Sequence, residues 1–187
     1  MVSPTQISVP RCGLVILLCI LSVLGRAAEA GAQVVFDPEA RLVELGLELP
    51  PVYTPIANYV RAVRAGNLVF LGGHSECEEP YVTGKVGAER TVDEAYEAAR
   101  LTALCLLASL KAEIGDLSKV VRIVRVYGMV NATESFAGHS GVINGASDLL
   151  VQIFGARGRH ARAAVGMASL PLNLTVEIEM VVEVTSG

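Results

Sequence analysis

Three places in the chain combine residue types that could do chemistry. The first is Gly158-Arg159-His160-Ala161-Arg162-Ala163-Ala164-Val165-Gly166. It sets an arginine into an otherwise small, apolar run. Burying a guanidinium without an anion is costly. Arg162 therefore either pairs with a nearby glutamate or holds a ligand carboxylate in two parallel hydrogen bonds. The second is Glu177, in the alternating run Thr175–Val184. Across a hairpin turning at Pro171 it would lie near Arg162 or Ala164. A glutamate there is ordinarily solvated; one buried beside an apolar interface has a raised pKa and serves as acid or base. The third is Gly72-Gly73-His74. Paired glycines allow close backbone approach and leave N–H donors free, although a plain turn needs nothing more.

Several other chemistries find no support. His74, His139 and His160 have no ligand spacing and no cysteine partner, so no zinc site is expected. The phosphate loop G-x-x-x-x-G-K-[ST] is absent. Ser75, Ser140 and Ser147 lack the G-x-S-x-G elbow of a serine hydrolase. The chain has 4 cysteines and no C-x-x-C pair, which argues against a zinc ribbon or a dense disulfide scaffold. Cys105 sits in an apolar helical run and reads as a buried free thiol; nothing in the spacing pairs it with Cys77. Asn131-Ala132-Thr133 and Asn173-Leu174-Thr175 match the glycosylation sequon, which matters only in a eukaryotic secretory route.

The elements that must carry these residues are legible in the pattern. A short helical stretch around Pro38–Leu45 stops at Gly46 and Pro50-Pro51. Tyr59–Val63 and Leu68–Leu71 read as a hairpin turning at Ala65-Gly66-Asn67 and ending at Gly72-Gly73-His74. A loop follows, with an extended piece at Lys85-Val86-Gly87. Thr91-Val92-Asp93-Glu94 is a capping box, opening a helix to about Ile114 with Gly115 as its C-cap. Lys119–Val130 is β-branched and reads as a long strand. Gly141–Phe154 has helical apolar spacing. Arg162–Ala168 and Thr175–Val184 are strands. Mixed strands and helices of this order favour an α+β fold, one mixed sheet with two helices packed on one face. Val121 and Ile123 lie opposite in parity to Val120, Val124 and Val126. Both faces of the central strand then read as apolar, and the uncovered one calls for another subunit.

With 187 residues, 52% hydrophobic and 18% charged, the chain has room for one domain and is too apolar to be disordered. A net charge of -4 weighs against a nucleic-acid partner held by bulk charge. The mean hydropathy of +0.50 raises the question of a membrane. Cys12–Leu24, uncharged between Arg11 and Arg26, is shorter than the roughly 20 residues a span needs. It fits the apolar core of a signal peptide, followed by an A-x-A pattern at Ala28-Glu29-Ala30. Residues 1–30 are thus expected to be a signal peptide or N-terminal leader, and 31–187 a single domain. A genuine leader makes the protein secreted or periplasmic; an early start codon leaves it cytoplasmic. No membrane contact is expected beyond the leader.

The blocks Gly66-Asn67-Leu68-Val69-Phe70-Leu71-Gly72-Gly73, Gly115-Asp116-Leu117, Val142-Ile143-Asn144-Gly145-Ala146-Ser147-Asp148-Leu149 and Arg162 to Glu179 (R-x-x-V-x-x-x-x-L-P-x-x-x-x-V-E-I-E) resemble the RidA/YjgF family. That family is also called endoribonuclease L-PSP and has a chorismate-mutase-like fold. N-G-A-S-D-L and G-x-H-A-R resemble its longer, YjgF-type endoribonuclease-like branch. The resemblance covers residues 38–185. It implies a homotrimer with clefts between subunits, and hydrolysis of reactive enamines and imines such as 2-aminoacrylate to keto acids and ammonia. It implies no metal and no organic cofactor. By position, Arg162 matches the arginine that binds the substrate carboxylate and Glu177 the glutamate that helps place water. Tyr59 and Gly73 match cleft residues. Asn144 matches the cleft asparagine if a short insertion falls around Gly138–Gly141. Ala164 stands where the family commonly has a cysteine, and His74 where it has a polar amide. Arg162 and Glu177 are expected to line a pocket completed by another chain. The alternatives are a non-catalytic trimer that binds small carboxylates and an endoribonuclease, the latter disfavoured by charge.

Overall fold

A computed structural model of the chain describes residues 36–186. The leader expected at residues 1–30 lies outside the described residues. The elements are α1 (Pro38–Glu44), β1 (Ala62–Ala65), β2 (Leu68–His74), α2 (Val92–Ile114), β3 (Val120–Asn131), α3 (His139–Phe154), β4 (Ala161–Met167) and β5 (Val176–Val184). The strands form one mixed sheet in the order β1-β2-β5-β3-β4. The β3–β4 pair is parallel and the others are antiparallel. α2 and α3 pack on each other and on one face of the sheet, giving the expected α+β architecture. Among the described residues, no helix is long and apolar enough to cross a membrane.

The local chemistry explains why the elements form where they do. Thr91 caps α2 in a full capping box: its hydroxyl accepts from the Glu94 N–H at 3.2 Å, and the Glu94 carboxylate accepts from the Thr91 N–H at 2.8 Å. Gly115 closes the helix at φ 85. Between Thr102 and Leu110, α2 is buried all round. The expected single stripe is wider because Leu45, Leu47 and Leu49 pack against the same core. On β5, Val176, Ile178, Met180, Val182 and Val184 are buried under the helices, and Glu177, Glu179 and Glu183 point the other way. Two glycines let α3 settle deeply. A Cβ on Gly145 would come within 2.9 Å of the Tyr96 carbonyl carbon, and one on Gly128 within 2.8 Å of Ile143 Cγ2.

Three sequence expectations need correction. β4 and β5 are not a hairpin: β3 lies between them, because α3 carries the chain from β3 to a parallel β4. The 171–173 turn, with Leu172 and Asn173 at positive φ, then leads to β5 on the far side of β3. The parity argument for β3 also fails. Register shifts between Val120 and Arg122, and between Ile123 and Arg125, bring Val120, Ile123 and Val126 onto the buried face. The open face still carries an apolar row, Val63 beside Phe70 beside Val181. Finally, β2 runs on through Gly72 and Gly73 to His74, with an irregularity in its pairing to β5 there.

Candidate functional site

That irregularity shapes the first half of the site. Leu71 pairs with Met180 and His74 with Ile178, so Gly72 and Gly73 together stand opposite the single residue Glu179. Glu177 leaves the open face of β5 and lies over Gly73. A Cβ on Gly73 would stand 2.8 Å from Glu177 Cδ and overlap Oε1; only glycine leaves room for this carboxyl group. Tyr53, Tyr59, Gly73, Ser75, Glu76 and Glu177 line a cleft of about 210 Å³. Burial first, and the nearby Glu179 charge second, raise the pKa of Glu177 above the usual carboxylate value.

His74 pins the irregularity from the core side. Its Nδ1 is 2.8 Å from the Gly72 carbonyl oxygen, which can only accept, so Nδ1 carries the hydrogen. Burial lowers the ring's pKa, the Gly72 hydrogen bond opposes this, and Arg61 adds to the lowering. The ring is neutral, and Nε2 accepts from the Ser109 hydroxyl on α2 at 2.8 Å. The Tyr53 ring meets it edge-on at 5.1 Å. The Tyr53 hydroxyl is buried without a hydrogen-bond partner among the described residues. Its pKa is raised by burial first and by the neighbouring Tyr59 next. Glu76 is 7% exposed, and neither of its oxygens has a partner among the described residues. Burial raises its pKa as well.

The second half of the site lies on the other side of the sheet. Arg162 pairs in register with Val126, whose side chain is buried under the helices. Its guanidinium therefore projects towards α3. Nη1 donates to Asn144 Oδ1 at 2.8 Å and to Ser147 Oγ at 2.9 Å, and Nη2 donates to the Ser140 carbonyl at 3.4 Å. Among the described residues, no carboxylate pairs with it. A guanidinium has five N–H donors. Among the described residues the Nε–H and one Nη2–H remain unspent, and such a pair suits two parallel bonds to a carboxylate. Ala164, further along the strand, packs against the core.

The structure thus gathers Tyr59, Gly73 and Glu177 in one place, and Arg162, Asn144 and Ala164 in another. It does not bring Arg162 to Glu177 within one chain, since the two side chains leave opposite faces of the sheet. Sequence reasoning missed Tyr53 and Glu76, which stand in loops without motif or periodicity. Ser147 lacks the elbow of a nucleophile, yet the G-x-H-A-R block holds its partner, His160. The free-thiol reading of Cys105 is overturned: Cys77 and Cys105 form a disulfide with their Cα atoms 5.7 Å apart. It ties the loop that walls the cleft to α2, a juxtaposition that a sequence separation of 28 does not reveal.

Fold and site together define a small α+β protein with an anion-ready arginine on one sheet face and a carboxyl-bearing cleft on the other. The chain belongs to the family described as "YjgF/chorismate mutase-like, putative endoribonuclease", whose model matches residues 39–184. It is 41% identical over 150 residues to Protein TCP17 of Trypanosoma cruzi, covering 79% of this chain and 94% of that protein. Among solved structures, the protein Atu1372 of Agrobacterium tumefaciens, titled as having unknown function, is 46% identical with a TM-score of 0.73. That match covers 79% of this chain and 92% of the other. A protein of Shewanella oneidensis titled a "putative endoribonuclease" is 37% identical with a TM-score of 0.76, covering 79% and 99%.

Proposed function

We propose that the chain is a hydrolytic deaminase of reactive enamines and imines of the 2-aminoacrylate type, with its site shared between copies in a homotrimer. The observation that carries this reading is the unspent edge of Arg162, a bidentate anchor with no carboxylate partner among the described residues. A 2-imino acid brings that carboxylate with it. Protonated at nitrogen, its imine carbon is already electrophilic. Water adds to that carbon, one of its protons passes to nitrogen, and the C–N bond breaks as the hydroxyl gives up the other, leaving a 2-keto acid, ammonia and a proton. The protein's task is to hold the carboxylate, exclude bulk water and place one water molecule. Arg162 performs the first and Glu177, over Gly73, the last.

Opposite faces of the sheet support a shared site. A ligand held by both groups takes Arg162 from one copy and Glu177 from another, and the apolar row on the open face suits burial against a neighbour. Two assays test this. Purified protein supplied with 2-aminoacrylate generated in situ releases ammonia and pyruvate, and Arg162→Ala does not; no rate above background overturns the reading. Copies carrying Arg162→Ala, mixed and reassembled in equal amounts with copies carrying Glu177→Gln, regain about a quarter of the wild-type rate, because a random ring restores one cleft in four. No recovery overturns the shared site.

A second reading, a non-catalytic trimer that binds small carboxylates, draws on Ala164, which sets a methyl group where a thiol is common in the family. Keto-acid binding without turnover supports it. Ribonuclease activity, suggested by the relatives' descriptions, fits poorly: Glu76 and Glu177 line the cleft and none of the lining residues is basic. The Cys77–Cys105 disulfide supports export, since disulfides persist in oxidising compartments. Mass spectrometry of the native protein tests this; an intact residue 1–30 segment counts against cleavage.

A further inference from the structure

His160 and Ser147 form a chain of hydrogen bonds whose direction the chemistry fixes. His160 Nδ1 lies 2.7 Å from the Gly158 carbonyl oxygen. A carbonyl only accepts, so Nδ1 carries the hydrogen. Burial first, and then the charge of Arg162, lower the ring's pKa, while the Gly158 hydrogen bond pulls the other way. At neutral pH a ring held below its ordinary pKa carries no second proton, so Nε2 is an acceptor. Among the described residues, the hydroxyl that meets it is Ser147 Oγ, at 3.1 Å, which must donate. With its proton committed, Ser147 turns a lone pair to Arg162 Nη1 at 2.9 Å. The charged groups on the elements around the ring are Arg162, Arg157, Arg159, Asp148, Arg122 and Arg125. Arg157 donates to the carbonyls of Val120 and Phe36, and Asp148 accepts from the Tyr96 hydroxyl. Arg162 is the charge that acts on His160.

We infer that His160 and Ser147 are positioning residues: they form a one-way relay that fixes the roll of the Arg162 guanidinium and so presents its Nε and Nη2 hydrogens to a ligand carboxylate. Without the relay, Nη1 keeps only Asn144 and Nη2 only its long 3.4 Å bond to the Ser140 carbonyl. So held, the fork can turn about its long axis and spend its free edge on water. This rests on the proposed carboxylate role of Arg162. It adds which residues set that role, and it predicts an effect on binding rather than on the chemical step. A mid-helix serine without an elbow is then no nucleophile, and its histidine partner is no general base.

The probe is 2-oxobutanoate, a product-like keto acid, titrated calorimetrically into the whole protein, alongside steady-state turnover of 2-aminoacrylate. Ser147→Ala is expected to weaken 2-oxobutanoate binding and raise KM by about tenfold, the loss of one charge-assisted hydrogen bond, with kcat within about twofold. His160→Phe does the same. His160→Gln, whose amide oxygen can still accept the Ser147 proton, returns both values to within about threefold of wild type. The double variant Ser147→Ala with His160→Phe is no worse than either single change, because both cut one chain. A fall in kcat instead of a rise in KM, additive losses, or no rescue by glutamine overturns the relay. If 2-oxobutanoate binds wild type and is lost only in Arg162→Ala, the anion site stands and the relay falls. If it binds no version of the protein, the proposed carboxylate site falls and takes the relay with it.

Discussion

Replacing Gly73 with alanine tests whether the position of Glu177, and not merely its presence, sets the activity. The added Cβ would stand 2.8 Å from Glu177 Cδ and overlap Oε1. Ordinary contact begins at 3.4 Å, so Cδ must retreat by about 0.6 Å and the oxygen by more. The backbone does not object, since Gly73 is not among the glycines at positive φ. The obstacle is the end of a flexible side chain, so the fold survives: the melting temperature should stay within about 2 °C of wild type. Activity should not survive. A reacting group displaced by about 1 Å costs on the order of 100-fold, which corresponds to about 2.7 kcal/mol at the transition state. The assay is ammonia release from 2-aminoacrylate across substrate concentrations, with Glu177→Gln as the floor. An alanine variant within threefold of wild type would show that placing Glu177 over Gly73 does not matter. One that melts many degrees lower would show that the contact is structural.

Three further outcomes follow from the burial of charged and bridged groups. If ionised Glu177 places the water, kcat/KM should fall on acidification with a midpoint above the usual carboxylate value, because burial raises its pKa; Glu177→Gln should be slow and lack this limb. Glu76 is buried with both oxygens unpartnered and a raised pKa. The folded state then holds its proton more tightly than the unfolded one, and stability falls as pH rises from the unfolded to the folded pKa. Glu76→Gln should therefore raise the melting temperature by a few degrees at neutral pH and gain little at acid pH; thermal melts at both values decide it. Breaking the Cys77–Cys105 bridge releases a loop of 28 residues, worth about 3.5 kcal/mol by the chain-entropy relation. Cys105→Ser should lower the urea midpoint accordingly, and thiol titration of the unreduced, denatured protein should find neither cysteine free.

The local elements were legible because their signals are local. Thr91 and Glu94 announce α2 within four residues, and the alternation of Val176 to Val184 declares β5 and its buried face. Pairing was less legible. Nothing in Arg162–Ala168 says that its neighbour is β3 rather than β5, since parallel partners meet through a crossover and not through a turn. The buried side of β3 was misread because an irregularity shifts parity without changing composition. Among site residues, Arg162 and Glu177 stood out as charges in apolar strands. Their separation onto opposite faces could be seen only once the strand order was known. Tyr53 and Glu76 gave no signal, because loops carry no period from which burial can be read.

The two halves of the site are anchored by the same small device. His74 and His160 each give the Nδ1 hydrogen to the carbonyl of a glycine two residues earlier, Gly72 and Gly158, and each meets a helix serine with Nε2. Burial lowers both pKa values, so both rings are neutral acceptors and both serines donate. The sequence signature is simply G-x-H at a strand end, with a serine on the helix above. What lies beyond the serine separates the two cases. Ser109 is 2% exposed, so that chain of hydrogen bonds ends in the core and can only hold β2 where Gly73 must pass beneath Glu177. Ser147 has Arg162 beyond it, so the same geometry ends on a guanidinium whose remaining donors are open. One device therefore fixes a backbone and the other orients a charge. Only the second should show itself in ligand affinity without a comparable loss of stability.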